Sequence, residues 1–242
     1  MNKTTVDLSK PSYYSEPDNF FYNFKRKISY VNILRTISKY LKNQNTTSLL
    51  EIGTGSGFLT SFLEKKYSNI SIHGLEYDSR LVELTKSKLS KSIVSQGNAE
   101  DFDLSQKFDL IVSLQVIEHL YNPEKMLECV KKHLKDDGVF IFTTPNLGCL
   151  SDIVMKEKWH GYRFDHVSLK SRKDWDELLF HNKFQKLYSG STFFSGIPIL
   201  NKFPLGIFNW FLLYFIGSLP WSKGESYIGV FRIDSNKNRN LK

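Results

Sequence analysis

The chain has 242 residues, of which 40% are hydrophobic, and it carries a formal net charge of +8. This length allows one elaborated α/β domain or two small domains, and two cysteines, Cys129 and Cys149, exclude a disulfide framework. Lysines are scattered among acidic residues without an arginine-rich stripe, which favours a solvated basic surface over a specific polyanionic partner such as nucleic acid or anionic lipid. Residues 1–10 lack the apolar segment of a secretory signal, so we expect a reducing, cytoplasmic compartment.

The N-terminal region, residues 1–45, is predicted to be a helical cap. Apolar side chains within residues 19–41 recur at helical spacing, and a polar stretch then breaks the pattern before the first strand. Tyr13, Tyr14 and Phe21 can lie over a bound ligand, or they can simply pack against the domain.

A glycine-rich turn follows the first predicted strand, at residues 49–52, and precedes a helix predicted at 58–67. The residues of interest around it are Glu51, Gly53, Thr54, Gly55 and Gly57. Glycine has no Cβ, so the backbone can turn sharply and a ligand can lie directly against it. The dinucleotide fingerprint needs a small residue at its sixth place, where this chain has Phe58. The spacing therefore disfavours a dinucleotide.

The next two strands also end in polar residues. The strand predicted at 70–76 ends in Glu76, whose carboxylate can accept hydrogen bonds from both hydroxyls of a ribose. Tyr77 is expected beside the base of such a ribose-containing ligand, and Asp78 is the alternative ribose ligand if the strand ends two residues later. The strand predicted at 93–96 leads into Asn98 and Ala99, and the amide oxygen of Asn98 can accept a hydrogen bond from an exocyclic amine.

A short apolar run at 108–114 suits a strand buried on both faces, and Gln115, Glu118 and His119 follow it. With the glycine-rich turn and the polar strand ends, this region resembles the class I methyltransferases that use S-adenosylmethionine. The resemblance is to the broad group that includes small-molecule and ubiquinone-pathway O-methyltransferases. It spans residues 49–146 and implies S-adenosylmethionine as the cofactor.

The resemblance also implies a role for each cofactor residue. The glycine turn passes under the methionine half, Glu51 helps to hold the ammonium group, and Gln115 joins the set. Asn98 stands where an aspartate more often meets the adenine amino group, and the backbone amide of Ala99 meets a ring nitrogen.

Strands and helices alternate along the core, which predicts a parallel sheet with helices on both faces. With the family resemblance, we expect a Rossmann-like, doubly wound, mostly parallel seven-stranded sheet with an antiparallel last strand and a helical, aromatic cap. The later strands are predicted at 139–144, 184–189 and 227–233. Asn122 and Pro123 suit the start of a helix that runs to residue 134 and stops at Gly138.

Residues 46–150 and 182–234 are expected to form the cofactor-binding domain. Residues 151–181 and 191–222 are expected to be insertions on the substrate side, the first containing a helix at 173–181. Residues 235–242 are expected to be a polar tail.

Two histidines are candidates for the general base. A sulfonium methyl donor is already activated, so the protein mainly positions the acceptor and excludes water. A base that takes a hydroxyl proton adds roughly two to four powers of ten in rate. His119 follows the fourth strand at the cofactor end, and His166 lies in an aromatic segment that resembles the insertion after the fifth strand in this family. Either histidine can instead pack or cap locally.

No metal is expected. Some relatives carry Glu-x-x-Glu-His after the fourth strand and bind a divalent cation, whereas Gln115 replaces the first carboxylate here and an amide is a poorer ligand for a hard cation. The motifs of many amino-methyltransferases and of cytosine methyltransferases are missing from the sequence. We expect an O-methyltransferase acting on a small molecule, a sugar or a lipid-linked intermediate, with His160 and Arg163 available to an anionic acceptor. A non-catalytic cofactor-binding scaffold and a nucleic-acid methyltransferase are the alternatives.

Residues 197–221 form an apolar stretch that Lys202, Asn209 and several prolines interrupt, so a membrane-spanning helix is not expected. A substrate cap or a dimer surface is the simplest interpretation. Peripheral contact with a membrane is the alternative, favoured by four nearby lysines, Lys183, Lys186, Lys202 and Lys223. The protein is expected to be a monomer or a homodimer.

Overall fold

The computed structural model describes residues 20–43 and 46–234, with side chains described for 30–41 and 46–234. Tyr13, Tyr14, the side chain of Phe21 and the tail at 235–242 lie outside the described residues. The strands are β1 Ser48–Ile52, β2 Ser71–Glu76, β3 Ile93–Gln96, β4 Phe108–Leu114, β5 Leu134–Pro145, β6 Phe184–Thr192, β7 Ser218–Leu219 and β8 Ser226–Ile233.

The described strands form one eight-stranded sheet in the order β3-β2-β1-β4-β5-β8-β6-β7. Strands β1 to β5 pair in parallel, and β8 runs antiparallel between β5 and β6. This arrangement confirms the predicted Rossmann-like, mostly parallel sheet with an antiparallel last strand. The sheet has one strand more than predicted because Ser218–Leu219 pairs with the end of β6, and two residues leave no alternating pattern in a sequence.

The helices begin and end at the following residues: α1 Phe20–Asn43, α2 Phe58–Lys66, α3 Ser79–Lys86, α4 Pro123–His133, α5 Leu150–Met155, α6 Arg172–His181 and α7 Leu205–Phe215. As predicted, the Asn122 side chain caps α4, accepting from the Lys125 amide, and Pro123 takes a first-turn position. The prediction that Gly138 stops this helix is wrong. The helix ends at His133 and β5 starts at the next residue, so Gly138 lies inside the strand.

The core consists of two hydrophobic clusters, one on each face of the sheet. Successive residues of β5 alternate between them: Phe140 and Phe142 pack with α4 and α6, whereas Val139 and Ile141 pack with α1 and α2. Trp175 of α6 is fully buried, and its ring meets that of Phe142 edge to face at 5.8 Å between centroids. Burial on both faces confirms the doubly wound arrangement and fixes which strand ends meet at the site.

Helix α7 packs on α1 at the periphery of the domain. The amide nitrogen of Asn32 donates to the carbonyl of Leu213 at 2.9 Å, which ties the two helices together. Within the described residues, we find no helix long and apolar enough to cross a membrane.

Candidate active site

The glycine-rich turn joins β1 to α2 at the carboxyl edge of the sheet. Its three glycines have φ values of +77°, +53° and +76°, a region that favours glycine over other residues. A Cβ on Gly53 would lie 2.3 Å from Val116, and one on Gly57 would lie 2.7 Å from Thr85. A Cβ placed on Gly55 would meet no described atom within 4 Å. Gly53 and Gly57 are therefore required by packing, whereas Gly55 faces open space.

Glu76 at the tip of β2 reaches this turn. One carboxylate oxygen accepts from the Gly55 amide at 2.7 Å, and the other accepts from the Tyr77 amide at 2.9 Å. Asp78 caps α3 and forms an ion pair with Arg80 at 2.6 Å, so its carboxylate is already engaged. Both carboxylates are therefore engaged, Glu76 by backbone amides that include the one of Gly55 in the turn, and Asp78 by the first turn of α3.

Two other predicted cofactor residues lie beneath the turn. Glu51 is buried and accepts a hydrogen bond from the Thr60 hydroxyl in the first turn of α2. Thr54 is also buried, and its hydroxyl has no hydrogen-bond partner among the described residues. The structure thus brings both residues to the turn, with Glu51 linking the end of β1 to the start of α2.

The predicted adenine residues follow β2 and β3. The Tyr77 side chain is exposed, and its carbonyl accepts from the Gln96 amide nitrogen at 3.2 Å. The Asn98 side-chain oxygen accepts from the Glu100 amide at 2.9 Å, forming a local turn, while Ala99 is buried against the core. These residues share one edge of the sheet because Glu76 and Gln96 are paired in register.

Gln115 follows β4 with a φ of +56°, which is uncommon for a residue other than glycine. Its backbone amide donates to the carbonyl of Thr143 at 2.9 Å, and its side-chain nitrogen donates to the hydroxyl of Thr143 at 3.2 Å. A strained backbone at a strand end is common at functional sites. No sequence signal indicated this conformation.

His119 and His166 lie side by side, although 46 residues separate them in the sequence. Their ring centroids are 4.9 Å apart and the rings are nearly perpendicular. The Nδ1 of His119 lies 3.1 Å from the carbonyl of Asp165, and the Nδ1 of His166 lies 2.8 Å from the carbonyl of Gly161. A carbonyl only accepts, so each Nδ1 carries the proton. In the neutral rings, the lone pair is therefore on Nε2.

Glu118 lies next to this pair and was given no role of its own by the sequence prediction. Its side chain is fully buried, and its carboxylate forms no hydrogen bond of good geometry within the described part of the chain, although the hydroxyl of Thr144 faces it. Burial raises the pKa of Glu118 to about 8, so the carboxyl holds its proton near neutral pH.

Ligand atoms of Glu118, His119 and His166 all lie within 4.8 Å of one another, a set that can hold a metal ion. The side chain of Gln115, which stands where the metal-binding relatives carry a carboxylate, donates a hydrogen bond to the hydroxyl of Thr143. The sequence prediction of no metal was based on the loss of a carboxylate at position 115, and it stays a prediction.

The two basic side chains proposed for an anionic acceptor, Arg163 and His160, already lie beside carboxylates. Arg163 makes two hydrogen bonds of 3.0 Å to the carboxylate of Asp165, and His160 lies 3.3 Å from Glu225. Glu225 is buried and also accepts from the indole nitrogen of Trp159 at 2.6 Å. Sequence reasoning missed Glu225 because a single acidic residue after a glycine carries no motif.

A family profile described as "Methyltransferase domain" matches residues 24–188. The chain belongs to the class I S-adenosylmethionine-dependent methyltransferases. This membership confirms the resemblance inferred from the motifs, and S-adenosylmethionine is the cofactor of the family.

The curated relatives are more distant. The chain is similar to a malonyl-[acyl-carrier protein] O-methyltransferase of Priestia megaterium, at 28% identity over 52% of this chain and 49% of the relative. It is also similar to a ubiquinone biosynthesis O-methyltransferase of Actinobacillus pleuropneumoniae, at 28% identity over 40% of this chain and 45% of the relative. The chain thus spans about half the length of these curated relatives.

Solved structures show the same fold. An S-adenosylmethionine-dependent methyltransferase of Thermotoga maritima aligns with a TM-score of 0.62 and 18% identity over 88% of this chain and 96% of its own. The plantazolicin methyltransferase BamL, solved with a substrate analogue and SAH, aligns with a TM-score of 0.64 and 16% identity over 89% of both chains.

The residues of this chain fit the cofactor. Gly55 leaves open space above the turn, and Thr54 offers a buried hydroxyl without a partner among the described residues. The Glu76 carboxylate stands at the edge of the same space, where it can receive ribose hydroxyls in place of the Gly55 amide.

Proposed function

We propose that this methyltransferase transfers the methyl group to an oxygen atom of a small-molecule, sugar or lipid-linked acceptor. Both curated relatives described above are named O-methyltransferases, which supports oxygen as the acceptor atom. The single observation that carries the proposal is the pair of histidines beside the end of β4, each with its Nε2 lone pair available. The cofactor supplies an activated methyl group on a sulfonium, so the chain's own residues need only position and deprotonate the acceptor.

In this proposal His119 and His166 are the candidates for taking the hydroxyl proton. Burial lowers the pKa of His166, which keeps its imidazole neutral at physiological pH and able to accept a proton. The bond between its Nδ1–H and the carbonyl of Gly161 orients the ring and strengthens when the ring becomes charged. The Nε2 of the base would take the proton of the acceptor hydroxyl, and the cofactor, when bound, would supply the methyl group to that oxygen.

The cofactor roles are part of the same proposal. Gly53, Gly55, Gly57 and Thr54 form the turn beneath the methionine half, with Glu51 supporting it. Glu76 binds the ribose, while Tyr77, Asn98 and Ala99 surround the adenine and Gln115 closes the site from β4. These roles are supported by the positions of the residues, which follow four strand ends along one edge of the sheet.

Methyl transfer can be measured with labelled cofactor and three acceptor classes: hydroxylated small molecules, acyl-carrier-protein conjugates and lipid-linked hydroxyls. We expect His119→Ala or His166→Ala to reduce kcat by roughly 10²- to 10⁴-fold while leaving the affinity for the cofactor unchanged. The wild-type rate should rise with pH as the base loses its proton, and the variant lacking the base should lose that rise. His181→Ala, at an exposed position in α6, is the matched control.

Two outcomes would contradict the proposal. Tight cofactor binding without transfer to any acceptor would favour a non-catalytic scaffold, and methylation restricted to nitrogen acceptors would exclude the oxygen chemistry. The cytoplasmic location and the monomeric or homodimeric state stay predictions. Cell fractionation and light scattering would test them.

A further inference from the structure

Helix α7 presents its apolar side to solvent, which is the reverse of an ordinary surface helix. Its buried positions are Gly206, Asn209 and Leu213. Six large apolar residues of the same helix are between 40% and 66% exposed: Leu205, Ile207, Phe208, Phe211, Tyr214 and Phe215. An apolar face of this kind marks a contact site rather than a solvated surface.

The orientation of α7 is fixed by polar contacts on its inner side. The side-chain nitrogen of Asn209 donates to the carbonyl of Ser195 at 2.8 Å, and its oxygen accepts from the Ser195 amide at 3.2 Å. On the α1 side, the Arg35 guanidinium donates to the carbonyl of Tyr214. Rotation of the helix would break these bonds, so the aromatic face cannot turn inward without cost.

A cationic groove of about 510 Å³ lies beside this face, between α1, α2 and α7. Arg35, Lys39 and Lys66 line it together with apolar residues such as Phe62 and Tyr214, and none of the described residues that line it is acidic. The sequence of α1 contains six lysines and arginines without an Asp or Glu, and residues 193–219 also contain no acid. In the described groove, three positively charged side chains therefore lie beside the aromatic rings of Phe62 and Tyr214.

We propose that α7 inserts its aromatic face into the interfacial region of an anionic membrane, with Lys39 and Lys66 facing the lipid headgroups. Eleven residues are too few to cross a bilayer, so the helix lies in the plane of the surface. The charge selects this occupant over a second copy of the chain. A symmetric dimer through α7 would bring two cationic grooves together, whereas anionic headgroups complement them.

The apolar part of the proposal is tested by co-sedimentation of the full chain with two kinds of vesicle. One contains only phosphatidylcholine, and the other contains equal parts of phosphatidylcholine and phosphatidylglycerol. We expect the full chain to bind the anionic vesicles. The double variant Phe211→Ser with Phe215→Ser should lose roughly tenfold or more in affinity for them. Phe180→Ser is the matched control for the single variant Phe215→Ser, since Phe180 on α6 is 56% exposed, close to the 60% of Phe215. These variants keep the buried core, and an unchanged melting temperature would confirm folding.

The electrostatic part is tested by removing two positive charges beside α7 in one variant and two positive charges elsewhere in a control variant. Lys39→Gln with Lys66→Gln should weaken binding roughly thirtyfold, from about fivefold for each lysine near an anionic surface. Lys86→Gln with Lys107→Gln makes the same change in net charge at exposed positions away from α7 and should leave binding nearly unchanged. Equal binding to both vesicles, no binding to either, or equal losses in the two lysine pairs would overturn the proposal. A dimer that Phe211→Ser with Phe215→Ser dissociates, without vesicle binding, would assign the face to a second copy instead.

Discussion

Replacing single glycines in the turn separates packing from cofactor binding. Alanine at Gly55 must adopt a φ of +53°, which costs about 1–2 kcal/mol for an L-residue, but its Cβ meets no described atom within 4 Å. For a chain of this size we expect a fall of roughly 2–8 °C in Tm. The added methyl enters the space proposed for the cofactor, where overpacking of about 1–3 kcal/mol weakens SAH binding by roughly 5- to 150-fold.

Alanine at Gly53 should behave differently, because its Cβ would lie 2.3 Å from Val116 in addition to the unfavourable φ. Backbone strain and overpacking together should lower the free energy of unfolding by about 2–5 kcal/mol, so the fold itself is weakened. Gly148→Ala is the matched control: its φ is +82° and its Cβ would also meet no described atom within 4 Å, but it lies outside the turn.

Calorimetric titration with SAH and thermal melts measure the two effects separately. The expected pattern is lost affinity with a modest Tm change for Gly55→Ala, a larger Tm change for Gly53→Ala, and retained affinity for Gly148→Ala. Wild-type affinity in Gly55→Ala, or an equal loss in Gly148→Ala, would refute the placement of the cofactor over the turn.

Three further predictions concern charged groups. Burial raises the pKa of Glu118 from 4.5 to about 8, so the folded protein keeps a proton that the unfolded chain releases between these values. The free energy of unfolding should therefore fall across that pH range, and Glu118→Gln should flatten the fall in urea titrations; parallel slopes would contradict this. Glu76→Gln should weaken SAH binding roughly 10- to 100-fold. Asp78→Ala should lower the free energy of unfolding by only about 1 kcal/mol, because a helix cap is lost, and should leave SAH binding nearly unchanged. The opposite pattern would make Asp78 the ribose ligand. Dialysis against a chelator should leave turnover unchanged, and activity restored by Mg²⁺ or Mn²⁺ would show that a metal is used.

The strands and the glycine turn could be predicted because their signals are local. The run at β4 is apolar because both faces of the strand are covered, and the turn needs glycine wherever φ is positive. The prediction for Gly138 was wrong because it also relied on a local signal. A glycine near a helix end is a common stop, but here the helix ends earlier, at His133. Its Nδ1 bonds to the carbonyl of Cys129, and its Nε2 accepts from the Leu104 amide in a distant loop.

The acceptor side of the site depends on contacts that no local pattern contains. The Nε2 of His119 is left as the basic nitrogen only because a carbonyl 46 residues later accepts a hydrogen bond from its Nδ1–H, and the carbonyl of Gly161 does the same for His166. Both carbonyls belong to one segment, and Trp159 anchors that segment through its bond to Glu225, 66 residues away. Glu225 therefore holds in place the segment whose carbonyls orient both proposed bases. The residues proposed for the cofactor carry local motifs at strand ends, whereas the proposed bases are brought together by tertiary packing.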